Sequence, residues 1–235
     1  PATGIRPSGS AEETVKSAGS SFVTVGAYRP LCTAATRGWR GSTRGPIFGF
    51  MDAATAAISV RNLSKRYASV TAIDNLSFDV APGTTTALLG GNGAGKTTTI
   101  SILLGVLLPS DGAVSVLGED MLRHRYRVLP RMNFSSPYVD LPRRLTVKEN
   151  LRIYGRLYAL RDMKARIAEL GEALELMPLM DRPFGNLSSG QKTRVALAKS
   201  LLNEPDVLLL DEPTASLDPD TADWIRTFLK AYQKR

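Results

Sequence analysis

The chain has 235 residues, of which 43% are hydrophobic, and this is enough to bury the core of one domain. Its single cysteine excludes a disulfide framework and a cysteine metal site, which is typical of a protein in a reducing compartment. No apolar stretch of the sequence approaches the roughly 20 residues that a membrane-spanning helix needs. The net charge of +8 suggests that nucleic acid and anionic lipid should be considered as partners.

The first 50 residues differ in composition from the rest of the chain. They are rich in Ser, Gly, Ala, Thr and Arg, and Glu12 and Glu13 are their only acids. Because no amphipathic period persists, we expect disorder in this leader. Residue 1 is Pro and Met51 resembles a natural start, so we interpret residues 1–50 as non-native upstream sequence and residues 51–235 as the domain. The alternative is an organellar transit peptide, since such leaders are rich in Arg and Ser and poor in acids.

A phosphate-binding loop is predicted after a short β-rich run at residues 84–90. Residues 90–98 read GGNGAGKTT and fit the P-loop pattern G-x-x-x-x-G-K-[ST]. Glycines let the backbone amides surround phosphates, and the apolar stretch 96–108 predicts a helix that points its positive end at the anion. Lys96 is expected to reach the β- and γ-phosphates, and the Thr97 hydroxyl to bind Mg²⁺. The predicted nucleotide-binding residues of this loop are Gly90, Gly91, Asn92, Gly93, Ala94, Gly95, Lys96, Thr97 and Thr98.

The middle of the chain is basic and helical in its pattern. Positive charge concentrates in residues 121–166, but no nucleic-acid motif with interleaved aromatic residues occurs there, so we expect no nucleic-acid partner. Residues 145–161 predict an amphipathic helix that begins with a capping box of Thr146 and Glu149. Residues 163–180 predict a second helix or a helix pair that stops near Pro178.

A buried strand with two terminal acids is predicted near the end of the chain. Residues 206–212 read DVLLLDE, and the apolar run Val207–Leu210 is typical of a parallel strand buried on both faces. Acids at the carboxyl end of such a strand lie where α/β sheets bind ligands. We therefore predict that Asp211 holds Mg²⁺, directly or through water, and that Glu212 polarises an attacking water. Residues 218–235 then predict one helix capped by Asp218.

The P-loop, the sequence LSSGQ and this acidic strand, in that order, resemble the ATP-binding subunits of ABC transporters. The resemblance runs from about residue 58 to the C-terminus, and residues 62–80 resemble the opening hairpin of the family. In that hairpin Tyr67 matches the aromatic residue that stacks on adenine, while a strand-edge tyrosine is the alternative. The residues that match the signature are Leu187, Ser188, Ser189, Gly190 and Gln191, and those that match the D-loop are Ser216, Leu217 and Asp218.

The resemblance implies a fold and a mechanism. The fold is α/β: a P-loop NTPase core with a mostly parallel sheet, an antiparallel β region and an inserted α-helical subdomain at about residues 120–203. Two such domains, identical or different, pair head to tail and hold each ATP between the P-loop of one and the signature of the other. ATP and Mg²⁺ are the implied cofactors. The implied partners are membrane permease subunits at the cytoplasmic face of the cell membrane, and efflux is favoured over uptake.

Two departures from the family concern the nucleotide site. Ser189 stands where the family has Gly, and the hydroxymethyl group is expected near a closely approached phosphate. The family also places a metal-contacting Gln between the P-loop and the signature, whereas Gln191 and Gln233 are the only glutamines of this chain. Ser135 or Ser136 stands at that position, and we therefore count Ser135 among the expected metal contacts.

A third departure lies at the C-terminus. The family adds a strand and a histidine that contacts the γ-phosphate after the predicted last helix, and the chain ends before them. The single histidine, His124, lies far upstream in an Arg-rich stretch and is interpreted as a surface residue. We therefore expect the domain to lack its C-terminal part.

Two further functions stay open on the sequence. One is a nucleotide-binding subunit with little hydrolysis, which the missing Gln and His favour. The other is a soluble ABC-type ATPase that acts on DNA or ribosomes. Chromosome and repair ATPases insert a long coiled coil between the P-loop and the signature. Only a short helical segment fits between Thr98 and Leu187 in this chain, which argues against those ATPases.

Overall fold

The structure is a computed structural model, and it describes residues 22–27, 56–136, 140–214 and 217–233. The strands are β1 (Phe22–Ala27), β2 (Ile58–Tyr67), β3 (Val70–Val80), β4 (Thr85–Leu89), β5 (Asp111–Val116), β6 (Glu119–Asp120), β7 (Met132–Ser135) and β8 (Val207–Asp211). The α-helices are α1 (Lys96–Leu103), α2 (Met121–Val128), α3 (Val147–Leu157), α4 (Met163–Ala173), α5 (Ser189–Leu201) and α6 (Pro219–Gln233). Within the described part of the chain, every helix is too short or too polar to cross a lipid bilayer.

One sheet is antiparallel and has the strand order β3-β2-β5-β6. It is built on the predicted hairpin, in which Tyr67 and Val70 pair next to the turn. Ile58, Val60 and Leu63 of β2 are completely buried, so one face of this sheet supplies much of the first hydrophobic core.

The second sheet carries the predicted nucleotide-binding elements and has the strand order β4-β1-β8-β7. Strands β7 and β8 are parallel, with Ser135 opposite Leu210, and β1 is antiparallel to both β4 and β8. Strands β4, β7 and β8 therefore run in one direction, so their carboxyl ends meet at one edge. All five residues of β8 are buried, as the apolar run predicts.

Strand β1 corrects part of the sequence analysis. Residues 22–27 lie within the leader for which we expect disorder, but they form a strand between β4 and β8. The run from Val23 to Val25 is rich in β-branched residues, which favour extended backbone. The composition of the whole leader conceals this short run. The remainder of residues 1–50 lies outside the described residues, so its disorder and non-native origin stay predictions.

The helical part of the molecule has its own hydrophobic core. Leu151 of α3, Leu170 of α4 and Val195 of α5 belong to one buried cluster, and Ile225 of α6 joins it. The predicted capping box of α3 is present, since the Thr146 N–H donates to the Glu149 carboxylate at 2.8 Å and the Glu149 N–H donates to the Thr146 hydroxyl at 3.2 Å. The Thr146 N–H and the Thr146 hydroxyl both donate to the Glu149 carboxylate, and these two hydrogen bonds lower the pKa of its carboxyl group.

Two predicted helices are shorter than expected. The helix predicted over residues 96–108 ends at Leu103, because Gly105 adopts φ +65° and its N–H bonds back to the Ile102 carbonyl at 2.9 Å. The stretch 163–180 contains α4 and a separate 3₁₀ turn at Met177–Leu179, because Glu175 between them also has a positive φ. In both cases an apolar sequence pattern continues past a left-handed residue that ends the helix.

Asn150 connects the segment before α3 to the helix through side-chain hydrogen bonds. Its side chain is 1% exposed, and its Nδ2 donates to the carbonyls of Pro142, Leu145 and Thr146 at 3.1, 3.3 and 3.0 Å. Each of these carbonyls also accepts from a backbone N–H, so the Asn150 amide adds a second donor to all three.

We expect Asn150→Ala to lower the free energy of unfolding by about 1–3 kcal/mol, because the buried amide that bonds α3 to the segment before it is lost. In a domain of this size each kcal/mol lowers Tm by about 2–4 °C, which thermal denaturation would measure. Lys148→Ala is the control, because Lys148 is exposed on the same helix. Equal Tm values for the two variants would show that the Asn150 contacts contribute no stability.

Candidate nucleotide-binding site

The P-loop connects the end of β4 to the start of α1. Gly95 is the N-cap of α1 and has φ +83°, a conformation that favours glycine. A Cβ at this position would lie 2.4 Å from the carbonyl oxygen of Ala72 in β3. Both backbone conformation and space therefore require glycine here, and the loop lies directly against the antiparallel sheet.

Lys96 is held inside the loop. Its side chain is buried, and its Nζ donates hydrogen bonds to the carbonyls of Gly90 at 2.7 Å and Gly91 at 2.8 Å. An ammonium group has three donors, so these bonds fix the position of the group and leave one donor for a phosphate oxygen. The next residue, Thr97, is exposed at the start of α1, where its hydroxyl is accessible.

The two acids follow each other at the carboxyl end of β8. Asp211 is 7% exposed and Glu212 is partly exposed. Glu212 has φ +48°, in the left-handed region. A non-glycine residue in such a conformation costs roughly 1–3 kcal/mol, and such strain is concentrated at functional sites. The backbone thus turns sharply between one buried and one accessible carboxylate.

The P-loop and these acids enclose one open pocket of about 260 Å³. Its walls combine the predicted phosphate-binding and metal-binding residues with one residue of β3. The lining residues are Ala72, Asn92, Gly93, Ala94, Gly95, Lys96, Thr97, Thr98, Asp211 and Glu212. Gly90 and Gly91 do not line the pocket, and they contribute instead the carbonyls that hold Lys96.

The electrostatics of Asp211 fit a cation site. Burial raises the pKa of its carboxyl group, the negative charge of Glu212 raises it further, and the positive charge of Lys96 acts in the opposite direction. A cation beside Asp211 would therefore relieve an unfavourable charge. The Asp211 carboxylate and the Thr97 hydroxyl are hard oxygen donors, which suit Mg²⁺. In the described ranges no group of three or more His, Cys, Asp or Glu is placed to hold a metal ion.

The serines expected at the glutamine position lie at the same edge of the sheet. Ser135 ends β7 opposite Leu210, one residue before Asp211, and the following Ser136 is buried. The parallel register therefore brings this segment beside the predicted metal ligand. A contact of Ser135 with a metal ion stays a prediction.

The signature forms the start of α5. Ser188 is the N-cap, and the Gln191 N–H donates to its hydroxyl at 3.3 Å while the Ser188 N–H donates to the Gln191 side chain at 3.0 Å. We did not predict this capping box from the sequence, although the spacing of Ser188 and Gln191 fits the motif. Leu187 is buried in the helical core, whereas Ser188 and Ser189 are exposed. The hydroxymethyl group of Ser189 is therefore accommodated within this chain.

The signature does not line the pocket of its own chain. A Cβ at Gly190 would instead lie 3.1 Å from the Thr221 methyl group of α6. The Thr221 N–H donates to Asp218 at 2.9 Å, which confirms Asp218 as the cap of α6. Leu217 is partly buried next to this cap, and Ser216 lies outside the described residues.

Tyr67 also lies outside the residues that line the pocket. It ends β2 with 46% of its surface exposed, and the Lys65 ammonium lies 5.0 Å from the centre of its ring. Ala72, further along the same hairpin, does line the pocket. The contact of Tyr67 with adenine therefore stays a prediction.

The family follows from sequence comparison. A family model described as ABC transporter matches residues 73–215, which is more than half of the chain. The chain belongs to the ABC transporter family. This match includes the P-loop, the signature and both acids, and it confirms the resemblance to ATP-binding subunits of such transporters.

The relatives of this ABC transporter chain agree with that assignment. It is 42% identical over 167 residues to the Nod factor export ATP-binding protein I of Ralstonia nicotianae, covering 70% of this chain and 52% of that protein. It is 40% identical over 166 residues to the protein of the same name from Paraburkholderia xenovorans, covering 70% and 55%. The chain thus spans about half the length of the curated relatives it matches.

Solved structures confirm the fold class. The structure of cbiO1 from Clostridium perfringens, described as part of the ABC transporter complex cbiONQ, superimposes with a TM-score of 0.64 at 26% identity, covering 77% of this chain and 74% of that chain. A dimeric ATP-binding cassette in a post-hydrolysis state, bound to ADP and Pi, superimposes with a TM-score of 0.66 at 23% identity, covering 75% and 83%. The predicted α/β P-loop fold is therefore confirmed.

We expect Asp211→Asn to stabilise the nucleotide-free protein at pH 7.5. Burial raises the pKa of Asp211, so the protonated carboxyl group stabilises the folded protein. This contribution is lost as the pH rises through the folded pKa, because the ionised group favours the unfolded state. A gain of about 1 kcal/mol would raise Tm by about 2–4 °C. The gain should shrink as the pH falls through the raised folded pKa, because the carboxyl group is then protonated in the folded protein.

Thermal denaturation in EDTA between pH 7.5 and pH 4.5 would measure this gain. Asp181→Asn is the matched control, because Asp181 is exposed. A lower Tm for Asp211→Asn at pH 7.5, or a gain that stays constant with pH, would contradict the charge assignment at this site.

Proposed function

We propose that this protein is the ATP-binding subunit of a transporter, and that it binds Mg·ATP in the P-loop pocket and hydrolyses it to power transport through a separate membrane permease. The observation that carries the proposal is the pocket itself. It collects a buried ammonium, a hydroxyl and two carboxylates around one space, next to the start of a helix. A nucleoside triphosphate needs this combination of groups to bind its phosphates and its metal ion.

The P-loop residues bind and orient the phosphates. The amides of the loop from Gly93 to Thr98 and the N-terminus of α1 attract the anion. Lys96, fixed by two loop carbonyls, presents its remaining N–H and its charge to the β- and γ-phosphates. These groups stabilise negative charge that develops on the phosphate oxygens during water attack.

The acids divide the remaining tasks. Asp211 and the Thr97 hydroxyl would hold Mg²⁺, which would neutralise negative charge on the phosphates when bound. Glu212 is partly exposed at the mouth of the pocket, where it accepts a hydrogen bond from the attacking water and orients it. We include Ser135 as a further oxygen beside the metal, reached through water.

The proposal includes a head-to-tail dimer with a second ATP-binding domain. Ser188 and Ser189 of the signature are exposed at the N-terminus of α5, and no signature residue lines the pocket of its own chain, which supports contact with the nucleotide of a partner domain. The Ser188 hydroxyl accepts a bond from the Gln191 N–H, so its own proton is free to be donated to a γ-phosphate. The ATP bound between the domains would then join them, and hydrolysis would release them.

The direction of transport and the site of action extend the same proposal. Two relatives at 40–42% identity are named as export ATP-binding proteins, which favours export over uptake. The described helices contain no membrane-spanning segment, so attachment to the cytoplasmic face of the membrane would depend on the permease.

A nucleotide-binding subunit with little hydrolysis is the second candidate. The shorter Ser135 at the position of the family's glutamine favours it, because a serine oxygen reaches less far towards the metal and the water. ATP binding without turnover by the wild-type protein, measured as phosphate release, would select this candidate.

We expect Lys96→Ala to weaken ATP binding at least about tenfold, because a charged contact to the phosphates is worth about 1.5–3 kcal/mol. Isothermal titration calorimetry of the full chain would measure the Kd for Mg·ATP. Lys164→Ala removes the same charge from an exposed position on α4 and serves as control. Equal affinity of the two variants would contradict the phosphate-binding role of the loop.

We expect Glu212→Gln to keep the ATP affinity within about twofold and to slow hydrolysis at least about 100-fold, because the amide cannot act as a base. The variant should also accumulate as a dimer with ATP, which light scattering would detect. Glu172→Gln, an exposed change on α4, is the control. Hydrolysis by Glu212→Gln at the wild-type rate would remove Glu212 from the mechanism.

A further inference from the structure

Strand β7 lies at the edge of the nucleotide-binding sheet, and no further strand pairs with it among the described residues. An edge strand exposes unpaired backbone groups. Here side chains from α5 and the turn after it bind two carbonyls of β7. Asn203 Nδ2 donates to the Met132 carbonyl at 3.2 Å, and Lys199 Nζ lies 3.4 Å from the Phe134 carbonyl. Helix α5 therefore contacts the edge through side chains.

Asn133 of β7 links the same two side chains. Its Nδ2 donates to the Asn203 side-chain oxygen at 2.8 Å, and its own oxygen accepts from Lys199 Nζ at 3.3 Å. The same oxygen accepts from the backbone N–H of Phe134 at 2.8 Å. Lys199, Asn203 and Asn133 thus form one hydrogen-bonded group, which we name the β7 clamp.

Lys199 has an unusual environment for a lysine. It is partly buried, and burial lowers the pKa of its ammonium group. None of the ion pairs formed within the described ranges includes Lys199; its ammonium lies 5.2 Å from the centre of the Tyr154 ring instead. A buried charge without a carboxylate is costly, so the group depends on its oxygen partners on β7. A lysine that served only solubility would extend its charge into water.

The clamp acts next to the metal-binding edge of the site. Strand β7 continues from Phe134 to Ser135, which lies opposite Leu210, and Asp211 follows on β8. Because paired side chains share one face of a sheet, Ser135 shares the face of Leu210, and the next residue, Ser136, comes level with Asp211. A displacement of β7 along its edge would therefore move Ser136 relative to Asp211. Groups that orient metal ligands without touching the metal typically change metal affinity 10- to 100-fold when they are lost.

We propose that Lys199, with Asn203, is a positioning residue for the metal site: it holds the carboxyl end of β7, and with it Ser136, level with Asp211. The inference rests on the proposed function, because it assigns a task within the same nucleotide site. It also links the helix that begins with the signature to the strand that ends at the metal site. The two elements are expected to move as one body.

The test separates metal affinity from nucleotide affinity. The Kd for Mn²⁺ is measured by electron paramagnetic resonance in the presence of ATP, and the Kd for ATP is measured in EDTA. Lys199→Met should weaken Mn²⁺ binding about tenfold and leave the metal-free ATP affinity within about twofold, because Lys199 does not line the pocket. Lys199→Arg should restore Mn²⁺ binding, since guanidinium keeps the charge and the donors.

Lys230→Met is the matched control, since it removes a lysine charge from an exposed position on α6. Asn203→Ala removes the other donor to β7 and should also weaken Mn²⁺ binding. This second variant tests the inference if Lys199→Met does not fold. Wild-type Mn²⁺ affinity in Lys199→Met or Asn203→Ala, or an equal loss of metal-free ATP affinity, would overturn the inference. Failure of the wild-type protein to bind ATP would contradict the proposed function itself and overturn both.

Discussion

The close approach of Gly95 to Ala72 is the contact on which the rest of the site depends. Any side chain at Gly95 would meet the Ala72 carbonyl oxygen at 2.4 Å, so only glycine lets the P-loop lie against β3. This contact joins the antiparallel sheet to the sheet that ends in Asp211. Once the loop is in place, Lys96 is fixed by loop carbonyls and α1 begins at the pocket. Binding groups from distant parts of the sequence thus share one space of about 260 Å³.

The charges of the site oppose stability and favour ligand binding. Asp211 is buried next to another acid, which raises its pKa, and Glu212 adopts a strained backbone conformation. Both features cost free energy in the folded protein and are relieved or used when a cation and phosphates are bound. Lys199 is also a charged group removed from water, because its partly buried ammonium depends on oxygens of β7 at the edge of the sheet.

The sequence predicted the elements whose signal is local. The apolar run Val207–Leu210 specified a buried strand, the glycine spacing specified the P-loop, and Thr146 with Glu149 specified a helix start. It missed features that depend on tertiary context. Strand β1 is stabilised by pairing on both sides with distant strands, and α1 ends at a left-handed glycine within an apolar run. The partners of Lys199 lie 65 and 66 residues away, so no local pattern reveals them.

In the proposed site, the P-loop and the end of β8 bind one nucleotide within this chain. Hydrogen–deuterium exchange of the full chain, with and without Mg·ATP, tests this arrangement, because bound ligand slows exchange of the amides that it contacts or orders. We expect slower exchange in residues 92–98 and 211–214 together, with α4 unchanged. Slower exchange in only one of these two segments, or in neither, would contradict it.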